Sequence, residues 1–262
     1  MLVRTTLSIV ATFTLLFLML PLIIVLGSSV SNTEFMAFPP QGMTLKWYAK
    51  IFTNTGYVNA FVTSTSLALF ATLIAVLIAI PSSLVFSRFK FMGKQLTETI
   101  LMSPLVLPYI VLGAAFLQYG TQIGFVRSFP SLLVSHAVIV IPFVVRSILP
   151  QLTLSQQALE EASRDLGAGA FETFIFVTLP QIKSGVISGA VLAFITSWIN
   201  VEITIFQATP NLTTIPVVLF NYVQYTVDPS ISAVSAVTIL LAAALIIMLD
   251  LMFGINVIAK RK

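Results

Sequence analysis

Between Thr5 and Thr33 the chain runs for 29 residues without a charged side chain. About 20 apolar residues in a helix cross the hydrocarbon core of a bilayer. Inside lipid every backbone N–H and C=O must be satisfied within the segment itself, so a stretch of this kind is helical. Similar apolar stretches recur to the end of the chain. They leave an all-α integral membrane protein as the fold class. The composition agrees, with 58% hydrophobic and 8% charged residues. A soluble domain carries about 25% charged residues, and a chain this poor in charge could not cover its own surface with polar groups.

The charged residues punctuate the apolar stretches and predict six spans, at about 7–30, 59–83, 100–118, 132–152, 184–206 and 232–252, in one transmembrane domain of residues 1–262. Arg4 ahead of an apolar run resembles the start of a signal peptide. No small-x-small cleavage site follows it, so the run is expected to stay as the first helix. The uncharged stretch 203–227 is also long enough to span, but it holds Pro210, Asn211, Pro216, Asn221 and Gln224. Polar groups and broken backbone are costly in lipid, so a surface or re-entrant loop is expected there. With both termini cytoplasmic, the inner side receives ten basic residues (Arg4, Arg88, Lys90, Lys94, Arg146, Arg164, Lys183, Lys260, Arg261 and Lys262). The outer side receives only Lys46, Lys50 and Arg127. That asymmetry follows the positive-inside rule. The net charge of +4 is therefore a topology signal, and no nucleic-acid partner is expected. Leu45-Lys46-Trp47-Tyr48, in the long outer loop, reads as a short interfacial helix.

Several chemistries are excluded. There are no cysteines, hence no disulfides and no thiol catalysis. His136 is the only histidine, too little for a metal centre or a catalytic triad, so no metal is expected. It reads as a packing or pathway residue. Arg146 and Asp250, near the ends of their spans, read as interfacial side chains, Asp250 in reach of the basic tail. Glu202 lies in the apolar stretch Phe194–Phe206. A carboxylate in a span is costly unless it is paired or faces water, which makes it a functional candidate. On a continuous helix Trp198 and Glu202 would share a face at i and i+4, with Asn200 pointing elsewhere. Ring and charge together could hold an ammonium group.

The inner loop, about 153–183, is the most charged part of the chain. Ala158, Leu159, Ala162 and Leu166 place an apolar stripe on a helix that also carries Glu160 and Glu161. Gly167 and Gly169 can take the positive φ that ends such a helix. A second short helix follows, and Pro180 is expected to break the chain before the fifth span. A compact helical knob with a partly acidic exposed surface results.

Glu161, Ala162, Ser163, Gly167, Val177, Leu179 and Pro180 stand in the register of the EAA loop, and the segment resembles that loop of the permease subunits of bacterial ABC importers. Ser163 replaces an alanine of the pattern. Thr44-Leu45-Lys46-Trp47-Tyr48, Ser87-Arg88-Phe89, Met102-Ser103-Pro104 and Ala168-Gly169-Ala170-Phe171 are similar to the spermidine/putrescine branch. Ile199 and Asn200 stand where that branch often has adjacent acids. The resemblance implies a non-enzymatic transport subunit in the bacterial cytoplasmic membrane. It implies two cytoplasmic ATPase subunits that carry the ATP and Mg, a second homologous permease, and an extracytoplasmic solute-binding protein. The chain has no Gly-x-x-x-x-Gly-Lys-Ser/Thr phosphate loop, so no cofactor of its own is expected. The resemblance gives Glu161, Ala162, Ser163, Gly167, Leu179 and Pro180 the contact with the ATPase. Glu202, Trp198 and Asn200 are the candidates for the solute path. A polyamine is the leading solute, with an aminophosphonate, ferric iron, sulfate or an amino acid as alternatives. A stand-alone channel or secondary transporter would have to rely on Glu202, His136 and Asp250 alone.

Overall fold

The computed structural model describes residues 2–35, 37–225 and 230–253, and its regular structure is helical. Its helices are α1 (Leu2–Ser28), α2 (Lys46–Thr53), α3 (Thr55–Arg88), α4 (Lys94–Met102), α5 (Tyr109–Gln122), α6 (Phe129–Ile148), α7 (Leu154–Asp165), α8 (Ala170–Thr173), α9 (Leu179–Ile199), α10 (Thr204–Gln207), α11 (Ile215–Tyr225) and α12 (Ser230–Phe253). Among the described residues four stretches are long and apolar enough to cross a membrane, namely Thr5–Ser28, Thr55–Arg88, Phe129–Gln151 and Ala170–Ile199. A bent pair, Lys94–Leu105 with Tyr109–Gln122, makes a fifth when counted as one span. The chain is a multi-pass membrane protein. The expected sixth span coincides with α12, whose described apolar run is Ser230–Ala244. The side chain of Asp250 and the tail Lys260-Arg261-Lys262 lie outside the described residues. Among the described residues of 203–227 no spanning helix forms. Its longest helix, α11, has 11 residues and reaches only about 16 Å at ~1.5 Å per residue.

Two compact units divide the chain, Met1–Asn59 with Val218–Met252 and Ala60–Val217 with Phe253–Lys262. In the first, α1 exposes its apolar side chains all round from Thr5 to Leu22, as expected of a helix solvated by lipid. The segment after it folds back on itself. Trp47 Nε1 donates to Ser31 O at 2.8 Å, and Ser29 Oγ and Tyr48 OH share a hydrogen bond of 2.7 Å. The expected short helix is α2. Lys46 and Lys50 sit over the Trp47 ring, 4.6 and 5.6 Å from its centroid.

In the second unit, α6 is the central helix, with buried side chains on nearly every turn from Ser131 to Ile148. It can pack so closely because α9 presents a line of small residues, Gly185, Gly189, Ala193 and Ser197, at four-residue spacing, all buried. A Cβ on Gly185 would lie 2.6 Å from Ser147 O, and one on Gly189 would lie 2.8 Å from Val144 Cα. Membrane helices, lacking a hydrophobic drive to associate, gain dispersion energy by this close backbone approach. Ala71, Ala75 and Ala79, fully buried, put α3 into the same core.

The third span is made of two halves, which meet at 105° around the turn Ser103–Leu105, where Pro104 and Pro108 remove backbone donors. Two expectations need correction. Pro180 does not break the chain. It sits in the first turn of α9, preceded by a π turn over Phe174–Thr178. The wider π turn accommodates a proline ring that a regular helix would set against the carbonyl four residues back. The fifth span ends at Ile199 rather than 206, because Asn200 leaves helical geometry at ψ 121°.

Candidate functional site

The EAA-like segment folds as α7, a tight turn, α8 and the π turn that leads into α9. Its start is capped by the Thr153 N–H, which donates to Gln156 Oε1 at 2.7 Å. Gly167 takes φ +93°, with open space around it. Its requirement for glycine is therefore conformational. Gly169 does not use that freedom. It has φ −69°, and its N–H donates to Glu172 Oε2 at 2.9 Å. Ser163 Oγ and Thr173 Oγ1, 3.2 Å apart, tie α7 to α8. Glu161 is exposed and accepts from Gln157 Nε2 at 3.1 Å. Ala162 and Pro180 are exposed, and Leu179 is half-buried. Leu166, Phe171 and Phe176 protrude, each more than three-quarters exposed.

The two neighbouring glutamates differ, against the expectation of a shared acidic surface. Successive helical residues point about 100° apart. Glu161 faces out, whereas the Glu160 side chain is only 9% exposed and meets Arg88, itself 12% exposed. Arg88 Nη2 lies 3.0 Å from Glu160 Oε1 and Nε lies 3.2 Å from Oε2. This two-point geometry is the strong form of the pair. Thr178 Oγ1 donates a third hydrogen bond, 3.0 Å, to Oε1. An open cleft of about 320 Å³ lies against the pair, its walls including Glu161, Arg164 and Phe174. Arg88 and Glu160 are 72 residues apart, so no local spacing could have paired them.

The end of α9 separates the three candidates for the solute path. Trp198 is buried, its Nε1 donates to Thr65 Oγ1 at 3.3 Å, and its ring meets Phe61 edge-on at 6.1 Å. Asn200 is buried too, and its Oδ1 accepts from the Ile203 N–H at 2.9 Å. That bond replaces the next helical turn, as asparagine side chains often do. Glu202 comes after the break and is exposed. Trp198 and Glu202 therefore do not share a helix face. Gly113 of α5 lies under this segment, where an added Cβ would be 2.7 Å from Glu202 O.

The broken segment is held to α6 by buried polar groups. Ser131 Oγ donates to Gln207 Oε1 at 2.5 Å, and Gln207 Nε2 donates to Ser135 Oγ at 2.6 Å. His136, fully buried, lies 2.8 Å from Ser197 Oγ through Nδ1 and 3.0 Å from Thr204 Oγ1 through Nε2. Thr204 spends its hydroxyl proton on Asn200 O. Nε2 therefore carries the hydrogen, and Nδ1 accepts from Ser197. This is the satisfied packing role expected of the histidine. Among the described residues no three His, Cys, Asp or Glu side chains come together as metal ligands.

No family profile matches the chain. It is 29% identical over 231 residues to the spermidine/putrescine transport system permease protein PotC of Escherichia coli K12, covering 88% of this chain and 87% of that one. It is 30% identical over 207 residues to the molybdate/tungstate transport system permease protein WtpB of Methanocaldococcus jannaschii, covering 75% and 82%. In fold it resembles a chain of a bacterial ABC transporter involved in import of the acidic polysaccharide alginate. The TM-score is 0.70 at 12% identity, over 98% of this chain and 96% of that one. A helical membrane chain with this loop and these relatives belongs to the family of ABC-importer permease subunits.

Proposed function

We propose that this chain forms half of the solute path of a bacterial ABC importer for a polyamine, in the cytoplasmic membrane. It has six spans with both ends inside. The partner half is a second, homologous permease. Two ATPase subunits with their ATP and Mg act from the cytoplasm, and a binding protein delivers solute from outside. The chain itself supplies the path and the lever rather than the hydrolytic chemistry.

The observation that carries the lever is the compact knob from Glu161 to Pro180, which presents Leu166, Phe171 and Phe176 to a partner. Apolar side chains this exposed on a cytoplasmic loop call for a protein groove. The two ends of the charge tally support the topology. The polyamine rests on the spermidine/putrescine relative and on an exposed carboxylate, Glu202, beyond the end of α9. The molybdate/tungstate relative, as similar by identity, favours an oxyanion as the second reading.

The test is ATP hydrolysis and uptake by the complete transporter in proteoliposomes, with spermidine, putrescine and molybdate as solutes. Spermidine or putrescine should stimulate hydrolysis. Glu161→Lys should uncouple it, and Glu202→Gln should raise the polyamine concentration needed by about 5-fold or more. Stimulation by molybdate alone would replace the polyamine reading. Intact transport in Glu161→Lys would remove that residue from the lever.

A further inference from the structure

We propose that Arg88, Glu160 and Thr178 form a pin that carries movement of the loop 153–178 into α3, which makes Arg88 and Glu160 positioning residues of the transport cycle. The inference rests on the reading of that loop as the place where the ATPase acts.

α7 has two working faces. Glu161 and its neighbours look outward, where a partner would push. Glu160 looks inward, where its carboxylate gathers three elements: α7 itself, Arg88 at the last position of α3, and Thr178 in the π turn. Arg88 Nη1 also reaches Thr153 O at 3.5 Å, and Ser87 Oγ donates to Leu152 O at 3.2 Å. The end of α3 is thus fastened to both ends of the knob's inner side.

A buried pair of this kind resists separation, because either charge left alone in a low-dielectric site carries a large desolvation cost. Displacement of α7 must therefore draw α3 with it or break the pair. α3 serves as the rod. It is a continuous helix of 34 residues with Pro81 in its interior, and Ala71, Ala75, Ala79 and Phe86 bury it in the core. About 35 Å from the pin, at ~1.5 Å per residue, the same helix holds the other region of interest. Thr65 Oγ1 accepts from Trp198, and Ser64 Oγ accepts from the Ile215 N–H at 2.9 Å. The rod thus runs from the loop to the break after α9.

The experiment uses the complete transporter in proteoliposomes, with whichever of spermidine, putrescine and molybdate the wild type takes up. It reads solute moved per ATP hydrolysed, and ATPase retained on purification. Glu160→Gln should lower that ratio by about 10-fold with the ATPase still bound, and Thr178→Val by about 3-fold. Exchange of the charges, Arg88→Glu with Glu160→Arg, should recover most of the loss. An unchanged ratio in Glu160→Gln and Thr178→Val overturns the pin, as does a proportionate fall in uptake and hydrolysis, which would mean that the contact only keeps the loop folded. The loop reading is checked separately. The chain has no cysteine, so Phe171→Cys offers a single thiol to a thiol-to-amine cross-linker. Failure to capture the ATPase there overturns the loop reading and the pin together.

Discussion

Replacing Gly185 by alanine should loosen the packing of α6 on α9 although alanine is the better helix former. The added methyl would sit 2.6 Å from Ser147 O, 2.9 Å from Gln151 Cγ and 3.1 Å from Ile148 Cα. Two of these three atoms are backbone, so no rotamer change relieves the contact, and the helices have to separate by several tenths of an ångström. Overpacking of this kind costs about 1–3 kcal/mol. Alanine returns about 1 kcal/mol through helix propensity. Separation also forfeits dispersion along the whole line from Gly185 to Ser197. The net is a loss of about 2 kcal/mol, which at about 2–4 °C per kcal/mol lowers the unfolding midpoint by about 4–8 °C. The assay is thermal unfolding of the purified protein in one detergent, followed by circular dichroism. Gly189→Ala should behave alike, with its Cβ 2.8 Å from Val144 Cα. The two losses should combine to less than their sum, since both press on Ser147. A midpoint that holds or rises in Gly185→Ala would show that the helices do not depend on the glycine ridge, and the packing argument would fail.

Two further outcomes follow from single positions. Gly167→Val forces a β-branched residue into φ +93° at a cost of about 1–3 kcal/mol. It should weaken retention of the ATPase on purification, with Gly167→Asn clearly milder, and equal retention in both would deny the turn its role. His136→Phe removes a ring that bonds both Ser197 and Thr204. Thr204 keeps its bond to Asn200 O, so the loss falls on the buried Ser197 hydroxyl and should cost about 1–3 kcal/mol, read as a lower unfolding midpoint at unchanged helix content.

How much of this was legible beforehand depended on whether a feature is local. Uncharged runs of bilayer length place helices by simple composition, because lipid offers the backbone no other partner. The EAA-like spacing located the knob, and Gly167 was identifiable as its turn because only a left-handed residue ends α7 there. Glu202, by contrast, was set on a helix face that does not exist. The end of α9 is decided by one asparagine side chain that competes with the next turn for a single N–H, and hydropathy does not register that competition. Pro180 misled in the opposite direction, since a π turn absorbs it.

The sequence by itself determined the solvent of this protein, its helical class and the family to which it belongs. All of these are carried by residue type and by spacing within a turn or two. Only the tertiary structure decided which of two adjacent glutamates is buried, which arginine meets it, and what holds His136. Those pairings join residues 61 to 72 positions apart. They exist only once α3, α6 and α9 have packed, because each buried polar group then has to find its partner among whatever side chains the core has brought near.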